Sequence, residues 1–222
     1  MRGVCFALPA RFAPRRHDAP LRLTDQAAMA LADLAPLLGC GEEAAAIAFD
    51  ALAQGSEDAA AATALRVIGE EERIHDALIA GLREALPAPQ AGGKWLRTSR
   101  RFHANLSAGG ATSHLARIAA LDSAVCLVLS RLTARGTPIA RDPVLAAVLT
   151  RIRDDEARHV KVSRRLALAR SEAGHLREIA AEARVALAAS LALAAASFEA
   201  LGVDPAILLS DISALPDGLL RA

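Results

Sequence analysis

Two short stretches constrain this chain more than anything else in it: Glu71-Glu72-Arg73-Ile74-His75 and Asp155-Glu156-Ala157-Arg158-His159. In each, a Glu stands three positions before a His. On a helix that spacing puts both side chains on one face, about one turn apart. A carboxylate and an imidazole so related can hold one metal ion from one side, and two such pairs on facing helices can hold two. With twelve Glu and six His, random order would give roughly 0.3 Glu-x-x-His matches. The chain has three, the third being Glu172-Ala173-Gly174-His175. The excess does not say which matches matter, so placement has to.

Most of the chain reads as all-α. It is rich in Ala and Leu, only 3% aromatic, and shows no sustained strand-like alternation. Its 222 residues suffice for one sizeable core, and a single domain over 24–222 follows a basic N-terminal arm over 1–23. The net charge of +1 gives no global reason to expect nucleic acid or an anionic membrane as partner. Three scattered cysteines (Cys5, Cys40 and Cys126) without a Cys-x-x-Cys fit a reducing cytoplasm. They also exclude a rubredoxin-like or zinc-ribbon module. The longest uncharged run, 185–198, falls short of the ~20 residues of a membrane span.

Taken in order, the pattern predicts a helix from an N-cap at Thr24 to Leu34, broken or kinked by Pro36 and the Gly39/Gly41 pair. A new apolar run follows from Glu42 to about Ala53. A turn over 54–58, with Ser56 or Asp58 as cap, leads to a helix over about 59–85. Its stripe of Leu65, Ile68, Ile79 and Leu82 carries Glu72 and His75. Residues 86–112 form a long crossover. Its basic middle (Lys94, Arg97, Arg100, Arg101) reads as a solvated loop or short surface helix. A third helix over about 113–134 carries Asp122 in mid-stripe. A fourth, capped by Asp142 with Pro143 at its first position, runs to about 170. Glu156 and His159 share its stripe of Leu145, Leu149, Ile152, Ser163 and Leu166. An Ala/Leu-rich fifth helix, about 175–201, covers the bundle or meets a second copy in a homodimer.

Register ties these pieces together. In an antiparallel hairpin, residues equally far from the turn lie at one height. Around a turn near residue 57, Glu42 and Glu72 are equidistant; around one near 139, so are Asp122 and Glu156. Each hairpin therefore sets a carboxylate level with a Glu-x-x-His pair. Glu42 shares a face with Leu38, Ala45, Phe49 and Leu52 and is preferred to Glu43, which aligns with Pro36 and Asp50. Buried without a counter-ion, four carboxylates and two imidazoles would be very costly, and two divalent cations remove that cost. An all-carboxylate and imidazole set of Glu42, Glu72, His75, Asp122, Glu156 and His159 suits iron or manganese better than zinc.

This constellation resembles the ferritin-like di-iron carboxylate proteins, whose antiparallel four-helix bundle joins two hairpins by a long crossover and takes a carboxylate from two helices and Glu-x-x-His from the others. The likeness covers roughly residues 42–166. Asp155-Glu156-Ala157-Arg158-His159 is similar to the Asp-Glu-x-Arg-His form of the oxygen-activating branch: bacterial multicomponent monooxygenases, soluble fatty-acyl desaturases and ribonucleotide reductase small subunits. The resemblance implies that Asp155 hydrogen-bonds His75 and that Arg158 joins it around the ligands. It departs at Asp122, where the family usually has Glu, and in having no Tyr at all, which excludes a tyrosyl-radical subunit.

What the resemblance implies is a di-iron oxidoreductase that uses O2 to oxidise a small organic substrate. The reaction is a hydroxylation, N-oxygenation, desaturation or C–C cleavage, with electrons from an external donor. Ala45, Ala46, Ser123 and Ser163 are small enough to leave it room. The alternatives are a ferroxidase or iron-storage protein, a rubrerythrin-like peroxidase or manganese catalase, and a metal-free interaction bundle. A tRNA-modifying variant has only the basic 94–101 segment in its favour. Cys126 reads as a small core residue, Glu172 with His175 as surface, and His17, His103 and His114 as solvent or loop residues.

Overall fold

The computed structural model describes residues 21–91 and 93–215, apart from the side chain of Lys94. Cys5, His17 and most of the basic arm lie outside the described residues. Every regular element described is helical: α1 (Asp25–Gln54), α2 (Ala59–Glu84), α3 (Gly93–Asn105), α4 (Ala111–Leu132), α5 (Pro143–Leu168), α6 (Ala173–Leu191), α7 (Ala195–Ala200) and α8 (Pro205–Ser213). The pairs α1–α2 and α4–α5 pack most extensively, and α2 meets α5. This arrangement is compatible with a four-helix bundle.

The helix starts follow local chemistry. A helix leaves its first N–H groups without partners, and a short oxygen-bearing side chain can accept from them. Thr24 accepts from the Ala27 N–H at 3.3 Å. Asp58 accepts from Ala60 and Ala61 at 2.8 and 3.3 Å. Asp142 accepts from Val144 and Leu145, both at 2.9 Å. Its second oxygen takes the Arg22 N–H at 2.7 Å, so one buried carboxylate both starts α5 and anchors the segment leading into α1. Tandem glycines with φ of +83° and +89°, Gly109 and Gly110, make the turn into α4; residues with a Cβ are strained in that region.

Two expectations need correction. Pro36 and the following glycines do not divide α1, which runs unbroken for 30 residues. Proline removes one hydrogen bond, but the buried stripe through Leu31, Leu34, Ala35, Gly39, Cys40 and Glu42 holds the helix in register. The fifth helix is not continuous: a 3-10 turn at Ala192–Ala194 separates α6 from α7, and α8 then packs against α6. The basic middle of the crossover forms a short surface helix, one of the two forms expected of it. This helix, α3, is amphipathic, with Trp95 and Phe102 packed against the core and Ser99 buried, while Arg97, Arg100 and Arg101 face solvent.

The core consists of two apolar clusters. One gathers Leu31 and Leu34, Ile79 and Leu82, Leu129, and Leu145, Leu149 and Ile152, together with Phe198 and Ile212. The other gathers Phe49 and Leu52, Leu65 and Ile68, Leu115 and Ile118, and Leu166, with Leu176 from α6. Along each of the four long helices, the candidate ligands fall between the two sets.

Segment Ala173–Ala200 is long and apolar enough, by length and composition, to cross a membrane: an 18-residue window has a mean hydropathy of 1.6, and 39% of that window is buried. The sequence expectation counted only an uncharged run and missed this length. In the structure the segment lies against α4, α3 and α8.

Candidate metal centre

Glu42 of α1, Glu72 and His75 of α2, and Glu156 of α5 each offer a ligand atom within 4.8 Å of the others, all four residues being buried. The choice between Glu42 and Glu43 resolves on burial, since Glu42 is 6% exposed and Glu43 faces solvent. His159 and Asp122 complete the layer without belonging to that tightest group. His159 is 1% exposed and Asp122 4%. No arginine pairs with Asp122 among the described residues, and its Oδ2 has no hydrogen-bond partner.

The two imidazoles stack, with centroids 5.8 Å apart and planes at 29°; Phe49 meets His159 edge-on at 6.1 Å. Glu72 and Glu156 reach both rings. One oxygen of Glu72 is 3.3 Å from His75 Nδ1 and the other 2.9 Å from His159 Nδ1. Glu156 does the same at 3.4 and 3.6 Å. Glu42 adds a third carboxylate oxygen 3.3 Å from His75 Nδ1.

The outer ring nitrogens have different partners. His75 Nε2 meets Asp155 Oδ2 at 3.1 Å, and His159 Nε2 meets Glu71 Oε2 at 2.8 Å. A carboxylate accepts only from a protonated nitrogen, so these contacts place a proton on Nε2 and make Nδ1, which faces the layer, the nitrogen that a metal could take once any proton there is displaced. Arg158 ties the two carboxylates together, donating to Asp155 and, at 3.3–3.4 Å, to Glu71. The contact between Asp155 and His75 is the one the resemblance implies. Glu71 escaped the sequence reading, although the signal was there: it precedes Glu72 as Asp155 precedes Glu156.

The layer's electrostatics are those of a site short of positive charge. Burial, reinforced by the neighbouring carboxylates, drives Glu42 and Asp122 well above the usual carboxylate range. Burial also opposes ionisation of Glu72, yet contacts from His159 and His75 bring it to about 2. Burial opposes charging of the two histidines, but the carboxylates overcome it, raising His75 strongly and His159 to about 11. Protein alone can therefore satisfy the layer only by taking up protons. Even then both oxygens of Glu72 and both Nδ1 atoms lack a well-directed hydrogen bond. Inward-aimed acceptors, buried and without donors, are what a pair of cations requires, and oxygen and imidazole donors suit iron or manganese. The residues fit such a group.

His114 and His103 sit where the sequence did not put them. His114 is buried, at 8% exposure, near the start of α4. His103 lies half-buried on α3, its imidazole held by burial at about 4. Cys126 is half-buried with its thiol 3.5 Å from the Arg153 carbonyl oxygen; burial, then the charges of Glu156 and Asp122, push it to about 12. Such a thiol is inert at neutral pH. His175 is exposed at the start of α6. No protein-family model and no curated protein matches the sequence. The geometry alone therefore carries the functional reading.

Proposed function

We propose that this chain is a ferritin-like di-iron oxidoreductase that uses O2 to oxidise a small organic substrate. The observation that supports it most is the double reach of Glu72 and Glu156, each with one oxygen at each imidazole. Glu42, Glu72, His75, Asp122, Glu156 and His159 would hold the ions, with Nδ1 of each histidine facing into the layer. A bound iron pair supplies O2 binding and electron transfer, chemistry that no side chain here can provide.

The chain's own residues do the rest. Asp155 and Glu71 keep a proton on each Nε2 and so make each Nδ1 the nitrogen for a metal. Arg158 fixes those two carboxylates in place. Asp122, one methylene shorter than the Glu usual in the resembled family, reaches less far and leaves more room on its side. The two apolar clusters exclude water above and below the layer, which strengthens every charge interaction inside it. A half-enclosed apolar cavity reaches Glu42, Glu72, Asp122 and Glu156. That cavity favours an organic substrate over iron storage, which needs no apolar chamber.

The test is metal content after anaerobic loading with Fe(II), wild type against Glu156→Ala. About two irons per chain in wild type, lost in the variant, supports the reading. An oxygen pulse should then consume O2 without further iron uptake. Wild type that retains no iron or manganese overturns it, and uptake of many irons per chain would favour storage.

A further inference from the structure

The cavity above the metal layer has a composition that narrows what can enter it. Its volume is about 90 Å³. Its floor is the four carboxylates, and its walls are largely aliphatic: Leu38 of α1, Val125 and Val128 of α4 and Leu191 of α6, closed by Phe102 of α3. Polar groups away from the floor are few: Ser99 and His103 on α3, and Ser190 on α6. Ala45 lines the cavity as a small residue should, whereas Ala46, Ser123 and Ser163 do not.

His103 is the unusual member. Its Cε1 and Nε2 lie over Gly41, 3.9 Å from where a Cβ would stand. Phe102 meets its ring edge-on at 5.2 Å. No hydrogen bond to the imidazole occurs among the described residues. Held near 4 by burial, the ring is neutral at pH 7 and can either donate or accept.

We propose that this cavity is the substrate chamber of the di-iron reading, that it admits a small uncharged aliphatic molecule, and that His103 binds that molecule's one polar group. The inference rests on that reading and adds the substrate class to it. Two features of the chamber set the class. The walls are largely aliphatic and offer no charged partner, and an unpaired charge placed there carries a large desolvation penalty. The unpartnered imidazole, with Ser99 beside it on α3, supplies a hydrogen bond on the α3 side. A short alcohol, ketone or amide satisfies both conditions.

Calorimetric titration of 1-pentanol, 1-chlorobutane and pentanoate into the full chain tests this, with iron content measured on the same preparations. Wild type should bind 1-pentanol at least ten-fold more tightly than the other two. Val125→Phe and Val128→Phe fill the chamber without touching a ligand, and each should weaken 1-pentanol at least ten-fold while keeping the wild-type circular dichroism. His103→Leu should abolish the preference for 1-pentanol over 1-chlorobutane. A fully structural role for His103 would leave that preference unchanged and overturn its part in binding. Folded filled-chamber variants that bind 1-pentanol like wild type overturn the proposal, as does equal binding of the carboxylate. Iron retained without 1-pentanol binding sinks the chamber and spares the di-iron reading. Binding of 1-pentanol by a protein that takes no iron supports the ligand class and sinks the di-iron reading.

Discussion

Glu71 and Asp155 touch no substrate, yet they decide which nitrogen of each histidine can accept a metal. Replacing either by its amide keeps the shape and weakens the acceptor that holds the ring proton. Removing such supports typically costs 10–100-fold in metal affinity. Glu71→Gln and Asp155→Asn are each expected to lose about that much, read by competition with an iron chelator. Near-equal losses would show that the two histidines are supported alike; an unchanged Glu71→Gln protein would show that only Asp155 matters. His103 gives a second residue-scale expectation. Its folded value of about 4 lies below the ordinary 6.5, so between those values the unfolded chain holds a proton that the folded chain does not. Stability must then fall as pH falls from 6.5 to 4, and this contribution levels off below 4. His103→Leu removes it, so the variant's unfolding temperature should drop less over that interval than wild type's.

Helices were legible where local chemistry sets them and less so where packing does. Asp58 and Asp142 announced α2 and α5 because an acid before an apolar run caps whatever the tertiary context. Asp142→Ala should destabilise by about 2 kcal/mol in denaturant unfolding, at the upper end for a cap, because it also releases the Arg22 N–H. Pro36 misled for the opposite reason: its effect is local, while the stripe that overrides it is spread over six residues. Since proline is intrinsically poor inside a helix, Pro36→Ala is expected to raise stability by about 1 kcal/mol. Unfolding that is unchanged or easier would mean that α1 is bent to suit its neighbours at that point. Neither α8 nor the packed face of α3 could be read from periodicity, because each is short and owes its existence to the surface it covers. Glu42, Glu72, His75 and Glu156 were legible because equal distances from a turn survive small errors in helix ends. Glu71 was not legible from that pattern because it lies outside the Glu-x-x-His spacing and its partner, His159, is on another helix.

For the whole molecule, anything that binds only the folded chain stabilises it in proportion to the logarithm of its concentration over its dissociation constant. Fe(II) or Mn(II) at 100 times that constant should add about 2.7 kcal/mol to wild type and nothing to Glu156→Ala. Leu149, 1% exposed beside the layer, offers a calibration. Leu149→Ala should cost 2–5 kcal/mol, and metal should recover part of it if the layer still forms. Failure of metal to shift either protein's unfolding temperature would contradict a resident ion pair.

The position of the layer, with one apolar cluster on each side of it, also bears on how the molecule comes apart. Hydrophobic contact is interrupted at the layer, so in the absence of cations the two ends are joined mainly by helix backbone and by buried polar groups that must take up protons to be satisfied. Native-state amide exchange on the metal-free chain should then resolve two units that open with different free energies, one containing Leu65 and Leu115 and the other Ile79 and Leu145. Ions at the boundary would bind all four long helices at once, and the two sets of amides should merge into a single cooperative opening.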